Sequence, residues 1–348
     1  MDYIDVLADE QFRKYVEKRI GNNIFDPSYC FPITFPILNR YTKFREYSVK
    51  DIISTKVTIT NIGEFNDIFD GAMHEFNSLD EIKEKSEKEW AFLKEIYDKH
   101  NISLPESNDK YIENSNNNLL KISQNAFSRL DYLGVFVCCF STSNDSTLMW
   151  SHYADSNCGM CITYDFNKLN ENDIRRQHIF PLAYSHKPII IPKIDHRAEE
   201  CEYPVEANIL CTALSKGLDW NYEKEWRLVH IFPTEKRRRF SINIGVKPSE
   251  ICFGYHFMKP FFYDDQNNMS EASEKIALII ELLTYMVDNN IKASIIIHAF
   301  GEYKLLPTSI EANELKKFIE EEFKDNKPQH YKYYHVLQKK LLVRISKV

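Results

Sequence analysis

Residues 220–228 read Trp220-Asn221-Tyr222-Glu223-Lys224-Glu225-Trp226-Arg227-Leu228. Side chains of a strand alternate between two faces, so a strand here puts Glu223, Glu225 and Arg227 on one side and Tyr222, Lys224, Trp226 and Leu228 on the other. The second side can pack on a core while the Glu-x-Glu-x-Arg side lines a cleft. Two carboxylates about 7 Å apart along a strand raise each other's pKa unless a cation intervenes, and Arg227 is placed to do so. The alternative is a solvated face carrying cross-strand ion pairs.

Working outward, further short strand-like segments lie at Val135–Ser141, Met160–Asp165, Trp226–Phe232 and Arg239–Ile244, each bounded by turn-forming residues. A β-branched run predicts another strand over Ile52–Ile62. Helical spacing of Phe12, Tyr15, Val16 and Ile20 predicts a helix over Asp9–Ile20 that stops at Gly21, and Pro27, Pro32 and Pro36 punctuate a linker after it. The capping box Ser78-x-x-Glu81 opens a helix carrying Ile82, Trp90, Leu93 and Tyr97 on one face. The Asn-rich stretch Asn108–Asn118 is expected to be a loop, followed by another helical stretch before Gly134. A helix over Ser270–Asp288, with Ile276, Ile279, Ile280, Leu283 and Val287 on one stripe, precedes a strand over Ala293–Ala299. Thr308-x-x-Glu311 is expected to open a further helix ahead of a charged, Tyr-rich tail. The expected fold class is α+β, with small mixed or antiparallel sheets forming a cleft and helical N- and C-terminal extensions. The expected organisation is a helix and linker over 1–37, one domain over 38–305 with a helical insertion at 78–130, and a helix and tail over 306–348.

Composition narrows the function classes. A hydrophobic content of 43% with 27% charged residues is that of a packed domain, and 23 Phe and 20 Tyr make its core ring-rich. Net charge of −7 and a pI near 5.9 argue against a protein that grips nucleic acid by bulk charge. The nine glycines lie at least eight positions apart, which excludes Gly-rich dinucleotide and Walker loops and the Gly-x-Ser-x-Gly elbow. The first residues carry no basic or apolar leader, and Ile276–Val287 is interrupted by Glu281 and too short to span a bilayer. A cytoplasmic protein with no membrane association is therefore expected. Its eight cysteines read as reduced thiols, with Cys138 and Cys139 in a central strand. Cys158-x-x-Cys161 has no second pair at zinc-finger spacing, so these two read as small core residues.

Candidate chemistry lies at strand ends and turns. Arg40-Tyr41-Thr42-Lys43-Phe44-Arg45 gathers three cations ahead of a strand. In Glu64-Phe65-Asn66-Asp67-Ile68-Phe69-Asp70-Gly71 the residues Asn66, Asp67 and Asp70 are close together, as an Asx-type turn or as a metal or ligand loop. Phe140-Ser141-Thr142-Ser143 leads to Met149-Trp150-Ser151-His152-Tyr153-Ala154, where His152 is either a core-edge histidine or an acid/base group. Lys236-Arg237-Arg238-Arg239 is expected to tip a hairpin rather than to contact phosphate.

In this order, KFR, FND-x-FD, CFS, MWSHYA with its following Gly-Met-Cys-Ile strand, W-x-YE-x-EWR and Glu250-Ile251-Cys252-Phe253-Gly254 resemble the bacterial family known as domain of unknown function 2971, over roughly 38–305. Ile68 stands where that pattern has Pro, and Cys158 where it has His. The motif order is also similar, more distantly, to ADP-ribosyltransferase-like folds, which hold NAD between two small sheets without a Gly-rich loop. That second resemblance implies NAD as substrate, no metal, and an acceptor that could be protein, nucleic acid, small molecule or water. It implies Glu225 as the catalytic carboxylate that binds a ribose hydroxyl and stabilises an oxocarbenium-like state, with Glu223 orienting or deprotonating the acceptor. Lys43 or Arg45 would pair with the pyrophosphate. Tyr153 would stack on nicotinamide, positioned by Ser141 and His152, and Asn66, Asp67, Asp70 and Arg227 would complete the binding residues. The expected function is an ADP-ribosyltransferase or NAD glycohydrolase acting as a toxin or phage-defence effector. One alternative is a metal-dependent nuclease or phosphoesterase using Asp67, Asp70, His152 and Glu225. The other is a non-catalytic nucleotide- or protein-binding module. The terminal helices are the expected site of any self-association.

Overall fold

A computed structural model describes residues 35–67, 69–71, 79–104, 107–124, 134–171, 173–186, 212–232, 235–264 and 268–345. Its strands are β1 (Leu38–Thr42), β2 (Lys56–Asn61), β3 (Val135–Ser141), β4 (Met160–Tyr164), β5 (Ile179–Pro181), β6 (Ala183–Ser185), β7 (Ser215–Gly217), β8 (Glu225–Ile231), β9 (Arg239–Asn243), β10 (Glu250–Phe253), β11 (Phe262–Tyr263), β12 (Lys292–His298), β13 (Leu305–Ile310) and β14 (Gln329–His330). Its longer helices are α1 (Glu46–Ile53), α2 (Leu79–Lys99), α3 (Asn108–Gln124), α4 (Thr147–Tyr153), α5 (Met269–Asp288), α6 (Ala312–Glu322) and α7 (Tyr334–Ile345). The fold is mixed α and β, with one ten-stranded sheet and two two-stranded ones.

β3 is the hub. Its sequence VFVCCFS is almost wholly buried, as expected of a strand covered on both faces. Phe136, Cys138 and Phe140 enter the main core together with Leu228. Val137, Cys139 and Ser141 point the other way, opposite Val229, Arg227 and Glu225 of β8, which pairs with β3 along its whole length. On its second edge β3 holds two strands at once. β1 meets it at Asn39↔Ser141, and β2 meets it at Thr60↔Val137 and Asn61↔Phe136. Between those contacts the two strands diverge. One arm runs on through β4, β10, β12 and β13, the other through β9.

The fork is closed from behind by helices. Ile276, Ile279, Leu283 and Met286 of α5 recur at helical spacing and are fully buried. They join Leu315, Phe318 and Ile319 of α6 and Leu337, Leu341 and Ile345 of α7 in the same core. Val287, expected on that stripe, is partly exposed, and Leu282 is buried in addition.

Several boundaries differ from expectation. Ile52 and Ile53 belong to helix α1, and a turn with Thr55 at φ 58° separates it from β2. Asn108–Asn118 is helical because α3 packs on α2, with Trp90 and Tyr111 rings 5.1 Å apart and the Ser86 hydroxyl donating to Asn116 Oδ1 at 2.7 Å. That pairing outweighs the poor helix propensity of Asn. Thr308 lies inside β13, opposite Ile295, and the helix starts only at Ala312 with Glu311 as its N-cap. The basic run does not tip a hairpin, since β9 pairs with β2 while β8 pairs with β3 and β5. The helix expected over Asp9–Ile20, the prolines Pro27 and Pro32, Ser78, Ile68 and the stretch just before Gly134 lie outside the described residues.

A turn of three consecutive left-handed residues, Asp155, Ser156 and Asn157 (φ 52°, 54° and 66°), joins α4 to β4. It is held from below, where the Asn157 carbonyl accepts the His256 amide at 2.9 Å and presses on Gly254. A Cβ at Gly254 would collide with that carbonyl, and one at Gly217 would meet nothing closer than a Trp220 ring atom at 4.0 Å. Gly254→Ala is expected to cost about 1–3 kcal/mol of stability in urea unfolding, the range for overpacking. Gly217→Ala is expected to be near neutral in the same measurement.

Candidate functional site

A cavity of about 220 Å³ opens in the fork, walled by Arg40 of β1, Thr58 and Thr60 of β2, Cys139 of β3, and Tyr153, Glu223 and Glu225. Glu225 is the first residue of β8, opposite Ser141. Glu223 is not on that strand. It ends a 3-10 helix over Leu218–Glu223, and Lys224 at φ 46°, ψ 51° turns the chain sharply before β8 begins. The two carboxylates still converge, for a different reason than strand alternation. The Ser141 hydroxyl donates to the Glu223 carbonyl at 2.6 Å, and the Thr142 amide to the Lys224 carbonyl at 3.2 Å, so the tip of β3 clamps the turn. The expected alternative of a solvated acidic face does not hold, because Glu223 and Glu225 are each 3% exposed.

Arg227 organises the floor. Its side chain is fully buried. Nε donates to Glu225 Oε1 at 2.7 Å and Nη2 to Glu225 Oε2 at 3.2 Å. Nη1 and Nη2 grip the two oxygens of Asp70 at 2.7 and 2.5 Å, and Nη1 also donates to the Ala213 carbonyl at 2.6 Å. All five donors of the guanidinium are thereby spent. Lys216 completes the cluster, 2.7 Å from Glu223 Oε2, 3.4 Å from Glu225 Oε2 and 3.8 Å from Asp70.

Residues 149–228 match the family model described as Protein of unknown function (DUF2971). The match supports the resemblance read from motif order and spans Tyr153, Lys216, Glu223, Glu225 and Arg227, while Arg40, Asp70 and Ser141 fall outside it. No curated protein and no solved structure matches the chain, so the likeness to ADP-ribosyltransferase folds has no support from those comparisons.

Electrostatically the two glutamates diverge. Burial alone would push Glu225 up, but Arg227 and Lys216 overcome it and hold the carboxyl at about 2. Burial and the neighbouring Glu225 charge push Glu223 above the usual carboxylate range, against the pull of Lys216. Three carboxylates face two cations here, which leaves one negative charge over. Burial also pushes Asp70 up, although both its oxygens sit in the Arg227 fork. Burial and the Glu223 charge raise the Tyr153 phenol, which donates to Glu223 Oε1 at 2.5 Å. Burial pushes the Cys139 thiol up as well, which keeps it a neutral hydrogen-bond partner of Glu225.

The other expected residues divide. Asn66 is exposed and lines the cavity mouth beside Phe65. Asp67 makes the Asx-type turn, accepting the Phe69 amide at 2.9 Å through Oδ1, while its buried Oδ2 has no partner among the described residues. Asp70, Ser141 and Arg227, expected to bind a cofactor, are structural ties whose polar atoms are committed within the protein. His152 is exposed, with Nδ1 3.2 Å from the Tyr222 hydroxyl. Lys43 and Arg45 are moved out of the cleft: Lys43 pairs with Asp155 at 3.4 Å, and Arg45 is exposed at the start of α1. The cations of the cleft are instead Arg40, in the same quoted hexapeptide, and Lys216. Alternation along β1 puts Arg40 on the face of Leu38 and the main core, and turns Asn39 and Tyr41 the other way, so it would not have selected Arg40. Lys216 stands in no recognisable motif.

Among the described residues no group of three or more His, Cys, Asp and Glu side chains could hold a metal ion. Asp70 and Glu225, named in the nuclease alternative, are each paired with Arg227 and Lys216. Among the same residues no helix is long and apolar enough to cross a membrane.

Removing the guanidinium strands two buried carboxylates. Arg227→Ala is expected to lose about 3–5 kcal/mol in urea unfolding, the cost of a broken buried pair. Because the folded pKa of Glu225 is depressed, its ionised form contributes stability in full above about pH 4.5, the ordinary value, and loses it as pH falls toward about 2. Unfolding free energies measured across that window should fall more steeply for the parent than for Glu225→Gln.

Proposed function

We propose that the cleft breaks the bond between nicotinamide and ribose in NAD and passes ADP-ribose to an acceptor or to water. The observation that carries this reading is the pair of carboxylates on one cavity wall with divided proton affinity, Glu225 held low and Glu223 raised so that it is the stronger base of the two. Such divided pairs serve reactions that need both a fixed negative charge and a group that exchanges a proton. The scissile C1′–N bond breaks with its electron pair leaving on nicotinamide, and positive charge develops on the ribose as in glycoside hydrolysis. The charge of Glu225 stabilises it.

Hydrogen-bond capacity refines the roles. A carboxylate has about four acceptor sites. Those of Glu225 go to Arg227, Lys216 and the Cys139 thiol, so it acts through its charge. Glu223 is bonded to Tyr153 and Lys216 and keeps acceptor sites for a substrate hydroxyl. In its carboxylate form it takes the proton of the attacking acceptor as the new C1′–O bond forms and becomes the neutral acid. The Tyr153 ring with Phe65 and Met149 supplies apolar wall for a nicotinamide ring. At about 220 Å³ the cavity is smaller than the roughly 300–1,000 Å³ of sites that enclose a whole drug-sized ligand, so it takes one end of a dinucleotide. Consumption of NAD would make the protein a toxin or a phage-defence effector.

The full chain incubated with NAD labelled in nicotinamide should release the label, alone or with cell extract. Glu223→Gln should slow release at least about a hundredfold, the usual worth of a general base, with the thermal unfolding transition retained. No release under either condition rejects the reading and leaves a binding module.

A further inference from the structure

We propose that the tip of the β12–β13 hairpin and the outward face of α7 form a self-complementary interface through which two copies of the chain make a two-fold dimer. The inference is independent of the chemistry of the cleft, because β10, β4 and β1 separate β12 from β3.

The tip is Phe300-Gly301-Glu302-Tyr303, closed where the Ala299 amide donates to the Lys304 carbonyl at 2.9 Å. Gly301, at φ 76°, supplies its left-handed turn. Both rings project from it as exposed as free side chains. Two uncovered aromatic rings on one short loop have the character of an interface anchor rather than of solvated surface. The backbone beside them is not offered for strand addition. β13 is the last strand of its arm, and alternation from the Ala299–Lys304 pair turns the backbone of Pro307 toward the free edge, where it has no amide to donate.

The receiving surface lies beside the same hairpin. One side of α7 packs there, with Leu342 and Ile345 sharing a pocket with Ile297 and Thr308. Leu337 and Leu341 face the core, whereas Val336, Lys339, Lys340 and Val343, at i, i+3, i+4 and i+7, form the opposite stripe. Val336 and Val343 are about half exposed, and this stripe lines a shallow trough of about 520 Å³. A cavity of roughly 150 Å³ takes one benzene ring, so the trough has room for both rings of a tip. Charge fits as well. Lys340 is held by Glu322 at 3.0 Å, but Lys339 has no ion-pair partner among the described residues, and neither has Glu302 between the two rings.

Because tip and trough lie side by side on one chain, a two-fold axis lets each tip enter the other copy's trough, and the contact closes on itself. Two rings per copy at about 150–250 Å² each, matched by an equal area of the partner helix, bury roughly 1,200–2,000 Å² over both contacts, the size of a specific interface.

Sedimentation equilibrium of the full chain should give twice the chain mass at micromolar concentration, the weak end for interfaces of this size. Phe300→Ser should raise the dimer dissociation constant at least about thirtyfold, the worth of one interface hot spot. Tyr303→Ser and Val336→Asp should do the same. All three positions are exposed, so thermal unfolding of protein diluted to monomer should match the parent. Phe92→Ser, at an exposed ring on α2, should leave the dimer intact. Glu302→Lys and Lys339→Glu should each weaken the dimer, and the two together should restore it, which a structural defect would not do. A parent that stays monomeric well above micromolar concentration, growth beyond a dimer, an unaltered dimer in Phe300→Ser or Val336→Asp, or a double reversal no tighter than the single ones would each overturn the interface.

Discussion

The guanidinium of Arg227 is the constraint on which the cleft depends. It is fully buried and ties three separated parts of the chain: Asp70 after β2, the Ala213 carbonyl ahead of β7, and Glu225 at the start of β8. None of these segments neighbours another in the sheet through this contact, so the side chain substitutes for backbone pairing. A planar group with five fixed donors is suited to that task, and Lys216 with its single ammonium cannot replace it. Lys216 instead spans the gap between the two glutamates.

The cavity exists because β3 cannot be paired along both edges by its present neighbours. β8 occupies one edge completely, whereas β1 and β2 divide the other and diverge. Strand β1 is committed to β4 over its full length, Leu38↔Tyr164 to Thr42↔Met160, and β2 is committed to β9. Each arm follows its own outer partner, and the space between them is lined by Asn39, Arg40 and Tyr41 on one side and Thr58 and Thr60 on the other, with Glu223 and Glu225 at the end.

Much of this was legible in the sequence where local rules decide. β3, β4, α5 and β12 lie within a residue or so of the apolar periodicities that predict them, because each buries a continuous stripe, and β9 does so with only a half-buried one. The convergence of Glu223, Glu225 and Arg227 was also legible, but through the wrong geometry, since alternation cannot anticipate Lys224 in the left-handed region. Tertiary pairing hid other features. Asn108–Asn118 reads as a loop until α2 supplies a partner for its polar side chains, and the run from Lys236 to Arg239 reads as a hairpin tip until β9 is found beside β2. The choice of Arg40 over Lys43 and Arg45 depends on the fork beside β1, which no local pattern shows, and Lys216 carried no local signal. Several of the family-like segments prove to support the cleft from outside: the turn at Asp155–Asn157 and Gly254 pack on each other and set the end of α4, where Tyr153 reaches Glu223.

Stability alone gives a poor account of five ionisable side chains collected at one wall. Well-packed apolar residues of similar volume are often as stabilising as a buried ion cluster, and this core has abundant phenylalanine and isoleucine from which to build one. With all three carboxylates ionised the cluster carries one negative charge more than Arg227 and Lys216 balance. What the arrangement does achieve is a fixed direction: the charge of Glu225 is locked by Arg227, and the surplus proton affinity falls on Glu223, whose open acceptor sites are beside the cavity. A desolvated, pre-positioned pair of this kind costs folding energy and is useful only when a ligand enters, which is the physical argument for placing function in this cleft.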